Sequence, residues 1–525
     1  MADFRFCRAA ELRRWQDGGV KSEQELADAA VALGAAGFGG PLSATERRLV
    51  ATATPYDSAG LAAAIRAGAD PLGDAFIALR SPLARRAVGA FYTPPQIVAP
   101  MVAWAMSQDP ARVVDAGCGS GRFAMAATRA KPSVEIVAID LDPLATLIAR
   151  ANLAVLGASA QVLCANYLTA RIPPGGKTAW IGNPPYVRHH DLTPAAKAWA
   201  RQAASRLGHS VSGLAGLHAL FFLATALRAK PGDVGCFVSS AEWLDVGYGS
   251  VVRSLLLNGL GGASLDLIDP RAVPFADAMT TALITSFVAG QRPITLALHL
   301  VADPADLRLG GGAVVEVKTL AATNRWSPLF RAGSLAVGER LGTLARVHRG
   351  VATGANDFFT MTKAEAEKRG LAAWARPVVS SAAEVLASGG VIHDGPERRV
   401  IVDLPPDLDL VAHSAARAFL RAGKETGIDR RYLCSHRRPW WRLGLATPPI
   451  VATYMARQAP RFALNPDGLA LLNIAHGIWP QDGVDPAVLV SRLNAARLTF
   501  TGAGRTYHGG LEKFEPREME ALVLP

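Results

Sequence analysis

The sequence has 525 residues, of which half are hydrophobic and 19% are charged, and its formal net charge is +11. A chain of this length and composition is expected to form two or three globular domains, which excludes a disordered protein. The excess of positive charge favours an anionic partner such as nucleic acid, although a general enrichment in arginine would produce the same balance.

Cysteine usage and the N-terminus indicate a reducing compartment. The five cysteines, at positions 7, 118, 164, 236 and 434, form no Cys-x-x-Cys pair, so neither a structural zinc site nor a disulfide framework is expected. Residues 1–15 carry charges where a signal peptide needs an apolar run. Residues 210–227 lack Asp, Glu, Lys and Arg, but their Ser, Gly and His residues favour a buried core helix over a membrane span. These features predict a cytoplasmic protein without a bound metal or membrane contact.

Three regions follow one another along the chain. Residues 1–85 contain Ala- and Leu-rich stretches at helical spacing and predict a helical support segment. In residues 86–300, β-rich runs alternate with helical stretches, which predicts a parallel sheet with helices on both faces; the runs are ARVVDAG, VEIVAID, KTAWIGN, GDVGCFVSS and SLDLID. Residues 301–525 are irregular, and most of the positive charge lies there. The predicted fold class is α/β, a doubly wound Rossmann-like sheet with an N-terminal helical segment and a C-terminal α+β domain.

A glycine-rich turn follows the first predicted strand. In VVDAGCGSG, at 113–121, Asp115 precedes Gly117 and Gly119, whose lack of a Cβ lets the backbone turn tightly and approach a ligand. The spacing is GxGxG, whereas dinucleotide enzymes more often have GxGxxG. Asp140 ends the second predicted strand, where a carboxylate is placed to accept hydrogen bonds from both ribose hydroxyls of a nucleoside. Asp142 is a weaker candidate for the same role. The pair of motifs predicts a nucleoside-containing cofactor.

The motif Asn183-Pro184-Pro185-Tyr186 ends a later β-rich run. Proline fixes φ, lacks an N–H and restricts the residue before it, so the segment is stiff and presents carbonyl groups. The Asn183 side-chain oxygen and the Pro184 carbonyl can accept the two N–H bonds of an aromatic amine, which frees its lone pair for attack on a sulfonium methyl group. Together with the glycine turn and Asp140, this motif favours S-adenosylmethionine as the cofactor.

Two aromatic side chains are predicted to hold the base that carries this amine. Tyr186 can stack on a base flipped out of a duplex. Unstacking costs a few kcal/mol and one aromatic face returns about 1–3 kcal/mol, so a second aromatic is expected on the other side of the base. Phe275, in AVPFADAMTTALI, is the candidate, and a purely structural core position is its alternative.

These motifs and their order resemble the gamma class of amino-DNA methyltransferases from restriction–modification systems. AFYTPPQIV at 90–98 precedes the glycine turn as that family's tenth motif does, and the resemblance implies that Tyr92, Thr93 and Pro94 lie near the methionine end of the cofactor. Asn166, in CANYL, occupies the place of the acid that binds the cofactor's adenine amino group. The resemblance implies a site-specific enzyme that methylates N6 of adenine in duplex DNA and works beside a separate cognate restriction endonuclease.

The resemblance places DNA recognition in a C-terminal target-recognition domain, at about 320–525. Basic and aromatic residues interleave in SHRRPWWRL, where Arg437 and Arg438 can contact phosphates or guanine edges and Trp440 and Trp441 can wedge or stack. A packed tryptophan pair beneath a solvated basic face is the alternative. Arg349, beside a glycine, is a further candidate for a DNA contact.

Four alternatives remain open at this point. The NPPY chemistry fits N4 of cytosine almost as well as N6 of adenine, and related motifs occur in enzymes that act on RNA or on glutamine side chains. Asp306, Glu316 and Lys318 mimic a metal-dependent nuclease signature, which would suit a bifunctional restriction enzyme, although VVEVK at 314–318 fits a β-strand better. The last alternative is a DNA-binding module that has lost catalysis.

Overall fold

The computed structural model describes residues 20–81, 93–269, 272, 281–331, 338–456, 459–506 and 511–524. By its internal contacts the chain divides into two units, Met1–Arg331 and Ala332–Pro525. The predicted boundary between residues 300 and 301 falls inside the first unit, because the strand Ala313–Glu316 still pairs with the sheet of that unit.

A nine-stranded mixed sheet forms the centre of the first unit, in the order β3-β2-β1-β4-β5-β7-β6-β8-β9. Strands β1 to β5 are parallel, whereas β7 runs antiparallel to both β5 and β6. The strands are β1 Arg112–Ala116, β2 Glu135–Asp140, β3 Ala160–Cys164, β4 Thr178–Gly182, β5 Val234–Ser240, β6 Gly262–Ile268, β7 Ala282–Val288, β8 Thr295–Val301 and β9 Ala313–Glu316.

Helices cover both faces of the sheet, as the fold-class prediction requires. Neighbouring residues of one strand point to opposite faces, so Val113 of β1 belongs to one hydrophobic core and Val114 to the other. The helices of this unit are α1 Glu23–Ala32, α2 Ala44–Ala51, α3 Ala59–Arg66, α4 Pro71–Leu79, α5 Pro95–Ser107, α6 Arg122–Ala130, α7 Pro143–Val155, α8 Pro194–Arg206, α9 Leu217–Ala226, α10 Ser250–Leu257 and α11 Val317–Ala322. The predicted α/β, doubly wound class is confirmed.

The N-terminal helices α1 to α4 pack on the same side of the sheet as α7. A capping box between Ser43 and Glu46 begins α2 and leaves the second Glu46 oxygen free to pair with Arg150 of α7. Both side chains of this ion pair are fully buried. Arg150 also donates to backbone carbonyls of residues 38, 40, 41 and 162, so every polar part of its guanidinium is satisfied. The N-terminal segment is therefore part of the core of the first unit.

The uncharged stretch 210–227 is helical only from Leu217 to Ala226, because the preceding residues form a loop that ends at the N-cap Gly216. The helix is almost entirely buried, as predicted. Among the described residues, none of the helices combines the length and the apolar character that crossing a membrane requires.

The second unit is α+β, as predicted. Its described residues form four small sheets: β10 with β22; β11-β19-β15-β17; β12-β14-β13-β18; and β16-β21-β20. They are β10 Glu339–Arg340, β11 Ala345–Arg349, β12 Thr360–Thr362, β13 Ala375–Val379, β14 Arg399–Val402, β15 Ile450–Thr453, β16 Met455–Ala456, β17 Phe462–Leu464, β18 Ala470–Leu471, β19 Ala475–Pro480, β20 Arg505–Thr506, β21 Glu512–Lys513 and β22 Val523–Leu524. The helices are α12 Leu341–Leu344, α13 Asn356–Phe359, α14 Lys363–Lys368, α15 Ala382–Ala387, α16 Ser414–Glu425, α17 Tyr432–Ser435, α18 Pro486–Ala496 and α19 Pro516–Glu520.

Candidate active site

The two loops that carry the predicted chemistry follow neighbouring strands of the sheet. Strands β1 and β4 are parallel and paired, so the glycine turn after β1 and the NPPY motif after β4 leave the same edge. The strands approach closely at their ends, because a Cβ at Gly182 would lie 2.4 Å from the Ala116 carbonyl oxygen. Only glycine fits there, and the two loops consequently start from one rigid base.

The glycine turn lies close to the NPPY motif, with room between them for little more than a methyl group. Gly117 has φ +73°, which favours glycine, and a Cβ on it would be 3.8 Å from both the Asn183 carbonyl oxygen and Pro185 Cδ. It would also lie 3.6 Å from a ring carbon of Phe221. The structure therefore brings the predicted cofactor loop and the predicted catalytic motif together.

Asp140 organises the turn from the end of β2. Its Oδ2 accepts a hydrogen bond from the Gly119 N–H at 2.9 Å, and its Oδ1 accepts one from the Asp142 N–H at 2.9 Å. Each oxygen has a second lone pair, so both can also accept from a ligand hydroxyl. Burial raises the pKa of Asp140.

Asp115 is fully buried beneath the turn. Its Oδ2 accepts from the Ala124 N–H at 3.0 Å, whereas its Oδ1 has no hydrogen-bond partner in the described structure. Burial, with a smaller contribution from the charge of Asp140, raises the pKa of Asp115 to about 7. Two acids close together favour a ligand that brings positive charge and hydrogen-bond donors, and S-adenosylmethionine is such a ligand.

Asn183 is tied to the segment before α5. Its Nδ2 donates to Thr93 Oγ1 at 3.1 Å, and Thr93 is 3% exposed. Pro94 is the N-cap of α5 and places the proline at position 95 in its first turn. Pro184 is buried and Tyr186 is half-buried, and burial raises the pKa of the Tyr186 hydroxyl. Tyr92 and Phe275, two further predicted site residues, lie outside the described residues.

Asn166 lies two residues beyond the end of β3, and its side chain is exposed. Its Oδ1 accepts from the Leu168 N–H at 3.0 Å, which closes a local turn. This oxygen is the atom that was expected to bind the cofactor's adenine, and its binding role stays a prediction.

Two residues near the site were not singled out from the sequence. Phe221 of α9 lies beside the glycine turn and stacks on Tyr167 with 4.7 Å between ring centroids. In the sequence Phe221 is one of many apolar residues in a buried helix, so no local signal separates it from the core. The second residue is Asp70, at the start of α4, whose side chain reaches Ser120 and Arg122 beside the turn.

In the second unit, the arginines of the predicted DNA-binding segment differ in environment. Arg437 is half-buried and donates to the carbonyls of Thr353, at 2.8 Å, and Ala352. Arg438 is exposed and donates to carbonyls of its own segment. Arg349 is also exposed and pairs with Glu515.

The two tryptophans of this segment pack against protein. Trp440 lies 6.1 Å from the Phe358 ring centroid, and a Cβ at Gly423 would be 2.5 Å from its indole ring. Trp441 is half-buried and meets Trp440 edge-on. Tyr432, which the sequence did not single out, is 76% exposed in the same segment and has its ring 4.5 Å from that of His436.

Two residues of the nuclease-like signature, Glu316 and Lys318, form an exposed ion pair with each other. Glu316 ends β9 and pairs with Lys318 at 2.7 Å, with side chains 54% and 81% exposed. The expected β-strand at 314–318 is present as β9, which ends at Glu316. Within the part of the chain that the structure describes, no group of three or more His, Cys, Asp or Glu residues is placed to hold a metal ion.

Four features together define a class I S-adenosylmethionine-dependent methyltransferase. They are the antiparallel β7 between β5 and β6, the glycine turn after β1, the acid after β2 and the NPPY motif after β4. The chain is 41% identical over 498 residues to the type II methyltransferase M.XamI of Xanthomonas campestris pv. amaranthicola, and the match covers 92% of each protein. The chain belongs to the type II methyltransferases of restriction–modification systems, and S-adenosylmethionine is its methyl donor.

Further comparisons agree with this assignment. The chain is 22% identical over 474 residues to the type II methyltransferase M.AccI of Acinetobacter calcoaceticus, covering 84% of this chain and 86% of the relative. The family model for the C-terminal domain of type II methyltransferase M.Eco57I matches residues 331–525, and that for the methyltransferase small domain matches residues 100–211. The type IIL restriction–modification enzyme MmeI, solved in complex with DNA, shares the fold with a TM-score of 0.57 at 14% identity, over 86% of this chain and 70% of MmeI.

Proposed function

We propose that this protein is a site-specific DNA methyltransferase that transfers the methyl group of S-adenosylmethionine to N6 of adenine in duplex DNA. The observation that carries the proposal is the proximity of Gly117 to Asn183 and Pro185 at the carboxyl edge of the sheet. A donor bound at the glycine turn would present its methyl group to an amine held by NPPY. Membership of the type II methyltransferases supports DNA as the substrate.

The chemistry needs orientation and charge complementarity more than acid–base catalysis. When bound, the cofactor supplies a methyl group on a positively charged sulfur. The Asn183 side-chain oxygen and the Pro184 carbonyl accept the two N–H bonds of the target amine and free its lone pair. The glycine turn and Asp140 would hold this donor, the lone pair would take its methyl group as the bond to sulfur breaks, and the amine would release one proton to water.

The target base must leave the duplex to reach this site. Tyr186 is the proposed stacking partner on one side of the flipped base, and Phe275 on the other. Stacking on one aromatic ring returns about 1–3 kcal/mol, which offsets much of the cost of extracting the base.

DNA contacts are proposed for the second unit. The exposed residues Arg438 and Tyr432 are the leading candidates in the segment around α17. Arg437, Trp440 and Trp441 are proposed to shape this segment from beneath. Arg349 remains a candidate phosphate ligand that would exchange its pairing with Glu515 for DNA.

A separate cognate restriction endonuclease is proposed as the functional partner. The alternative of a nuclease within this chain receives no support from the exposed pair Glu316 and Lys318. N4 of cytosine stays the second candidate acceptor, because the same two carbonyl oxygens suit either amine.

The test is methylation of duplex DNA by the wild-type protein and by Asn183→Ala, followed by sequencing that distinguishes N6-methyladenine from N4-methylcytosine. Loss of one preorganised transition-state contact is expected to lower kcat by about 10²- to 10³-fold or more, while DNA and cofactor binding survive. Near-normal turnover of Asn183→Ala would overturn the catalytic assignment. Methyl groups found only on cytosine would overturn the choice of base.

A further inference from the structure

The carboxylate of Asp70 joins the N-terminal helical segment to the glycine turn. Its Oδ2 accepts hydrogen bonds from Ser120 Oγ at 2.6 Å and from Arg122 Nε at 2.8 Å. Its Oδ1 accepts from Asn152 Nδ2 at 3.0 Å and, as the N-cap of α4, from the Gly73 N–H at 3.0 Å. The Asp70 side chain is only 9% exposed. One largely buried carboxylate therefore receives four donors from three separate parts of the sequence.

Two of these donors belong to the glycine turn, the proposed binding site of the methyl donor. Ser120 lies between Gly119 and Gly121 and is fully buried, and Arg122 is the first residue of α6. Arg122 also donates to the Thr93 carbonyl at 3.4 Å. Since Thr93 binds the Asn183 side chain, the contacts of Asp70 continue to the catalytic amide.

The local sequence is adapted to this contact. A Cβ at Gly73 would lie 2.0 Å from Asp70 Oδ2 and 2.6 Å from Ser120 Oγ, so any side chain at this position displaces the carboxylate or the serine. Gly73 lies inside helix α4, where glycine is otherwise unfavourable by about 1 kcal/mol relative to alanine. Glycine at position 73 therefore leaves the space that the Asp70–Ser120 hydrogen bond needs.

A second link from the same segment reaches Asp140, the proposed ribose-binding acid. Arg80, just after α4, donates to Asp142 Oδ2 at 2.5 Å. The Asp142 backbone N–H in turn donates to Asp140 Oδ1. The start of α4 thus contacts the glycine turn through Asp70, and the residue after its end contacts Asp142 through Arg80.

We infer that Asp70 is a positioning residue for the methyl-donor site, and that the N-terminal helical segment holds the glycine turn in its binding conformation. The inference depends on S-adenosylmethionine as the donor and not on the proposed DNA base. Its test therefore uses cofactor binding without DNA, and its outcome is separate from that of the proposed function.

The experiment is calorimetric titration of the full-length protein with S-adenosylmethionine, comparing wild type with Asp70→Asn. An amide cannot accept from all four donors, so the Kd is expected to rise about tenfold, as for a lost charge-assisted hydrogen bond. The matched control is Glu46→Gln, which removes another buried carboxylate of the same segment, one that accepts from Thr146 and Arg150 of α7 and not from residues of the turn. It should lower the melting temperature without changing the Kd at temperatures well below unfolding.

A second variant covers the case in which Asp70→Asn does not fold. Gly73→Ala improves the helix propensity of α4 but displaces the Asp70–Ser120 contact, so it should retain the fold and still raise the Kd severalfold. The inference is overturned if the folded variants bind S-adenosylmethionine within twofold of wild type. It is also overturned if Glu46→Gln weakens binding as much as Asp70→Asn does, because the segment would then act only through general stability.

Discussion

Thr93 Oγ1 accepts a hydrogen bond from Asn183 Nδ2, with 3.1 Å between the two atoms. The resemblance to gamma-class enzymes implied a place for Thr93 near the methionine end of the cofactor. The structure adds a contact with the side chain that is proposed to grip the target amine. When Nδ2 faces Thr93, Oδ1 occupies the other side of the amide, which is the arrangement that an amine acceptor site requires.

Thr93→Val is predicted to lower kcat while the KM for S-adenosylmethionine changes little. Valine keeps the shape of threonine but leaves Nδ2 without this acceptor, and a lost hydrogen bond of about 0.5–1.5 kcal/mol corresponds to a roughly 2- to 12-fold slower reaction. Thr93→Ser retains the hydroxyl and should keep most of the activity. Equal loss in the valine and serine variants, measured by steady-state methylation kinetics, would argue against the hydrogen bond.

Asp115 is predicted to make the cofactor-free protein less stable as the pH rises. Its pKa is raised by burial to about 7, above that of an unfolded aspartate, so the folded state favours the protonated form. The associated stabilisation is fully present below about pH 4 and is lost as the pH approaches and passes 7.

The measurement is urea unfolding between pH 4.5 and 8 for wild type and Asp115→Asn. The difference in unfolding free energy, wild type minus variant, should decrease steadily over this range, because asparagine does not titrate. Two parallel stability curves would contradict the assigned pKa.

The strands that carry the candidate active site could be predicted from sequence, but the proximity of the loops that follow them could not. Strands β1, β2 and β4 are short, largely apolar runs that end at or just before a Gly or Asp, and both motifs are local patterns. The proximity of the loops at Gly117 and Asn183 depends on strand order, which no local pattern encodes. The antiparallel insertion of β7 between β5 and β6 has the same long-range origin and was not predicted.

Asp70 shows the same limit in another form. In the sequence it is a good helix N-cap before Pro71 and nothing more. Its partners Ser120 and Asn152 are 50 and 82 residues away, so its second role emerges only in the folded chain. The exposed Tyr432 and the packed Trp440 illustrate the opposite problem, since aromatic residues beside arginines look alike in sequence whether they are buried or exposed.

The buried pair of Glu46 and Arg150 is predicted to be a large single contributor to the stability of the first unit. Glu46→Gln leaves a fully buried guanidinium without its counter-charge, and such a loss costs about 3–5 kcal/mol. Burial opposes ionisation of Glu46, but hydrogen bonds from Ser43, Arg150 and Thr146 and the charge of Arg150 lower its pKa. The pair should therefore weaken as the pH falls below the ordinary range of a glutamate.

Urea denaturation of Glu46→Gln and of the control Glu25→Gln would measure this contribution. Glu25 is half-buried in the first turn of α1, where its carboxylate accepts a hydrogen bond from the Lys21 backbone N–H. Similar, small losses in both variants would show that the buried pair contributes little net stability.

Two adjacent arginines are predicted to behave differently in DNA binding. Arg438→Ala should reduce the slope of log K against log salt by about 0.9, as expected when one phosphate contact is lost, and leave the melting temperature unchanged. Arg437→Ala removes the hydrogen bonds to the Thr353 and Ala352 carbonyls and should lower the melting temperature. Filter binding over a range of salt concentrations, together with thermal unfolding, separates the two effects. An unaltered salt slope for Arg438→Ala would remove that residue from the proposed DNA surface.

The tight approach of Gly182 to Ala116 also limits how new base preferences can arise. A side chain at Gly182 would push apart the glycine turn and the NPPY loop. Any gain in binding a new target base would then be cancelled by weaker binding of the methyl donor. Laboratory evolution toward a different target amine should therefore leave this pair of strand ends untouched. Selected changes are expected instead on surrounding walls, such as the face of α9 that carries Phe221, where one loop can be reshaped independently.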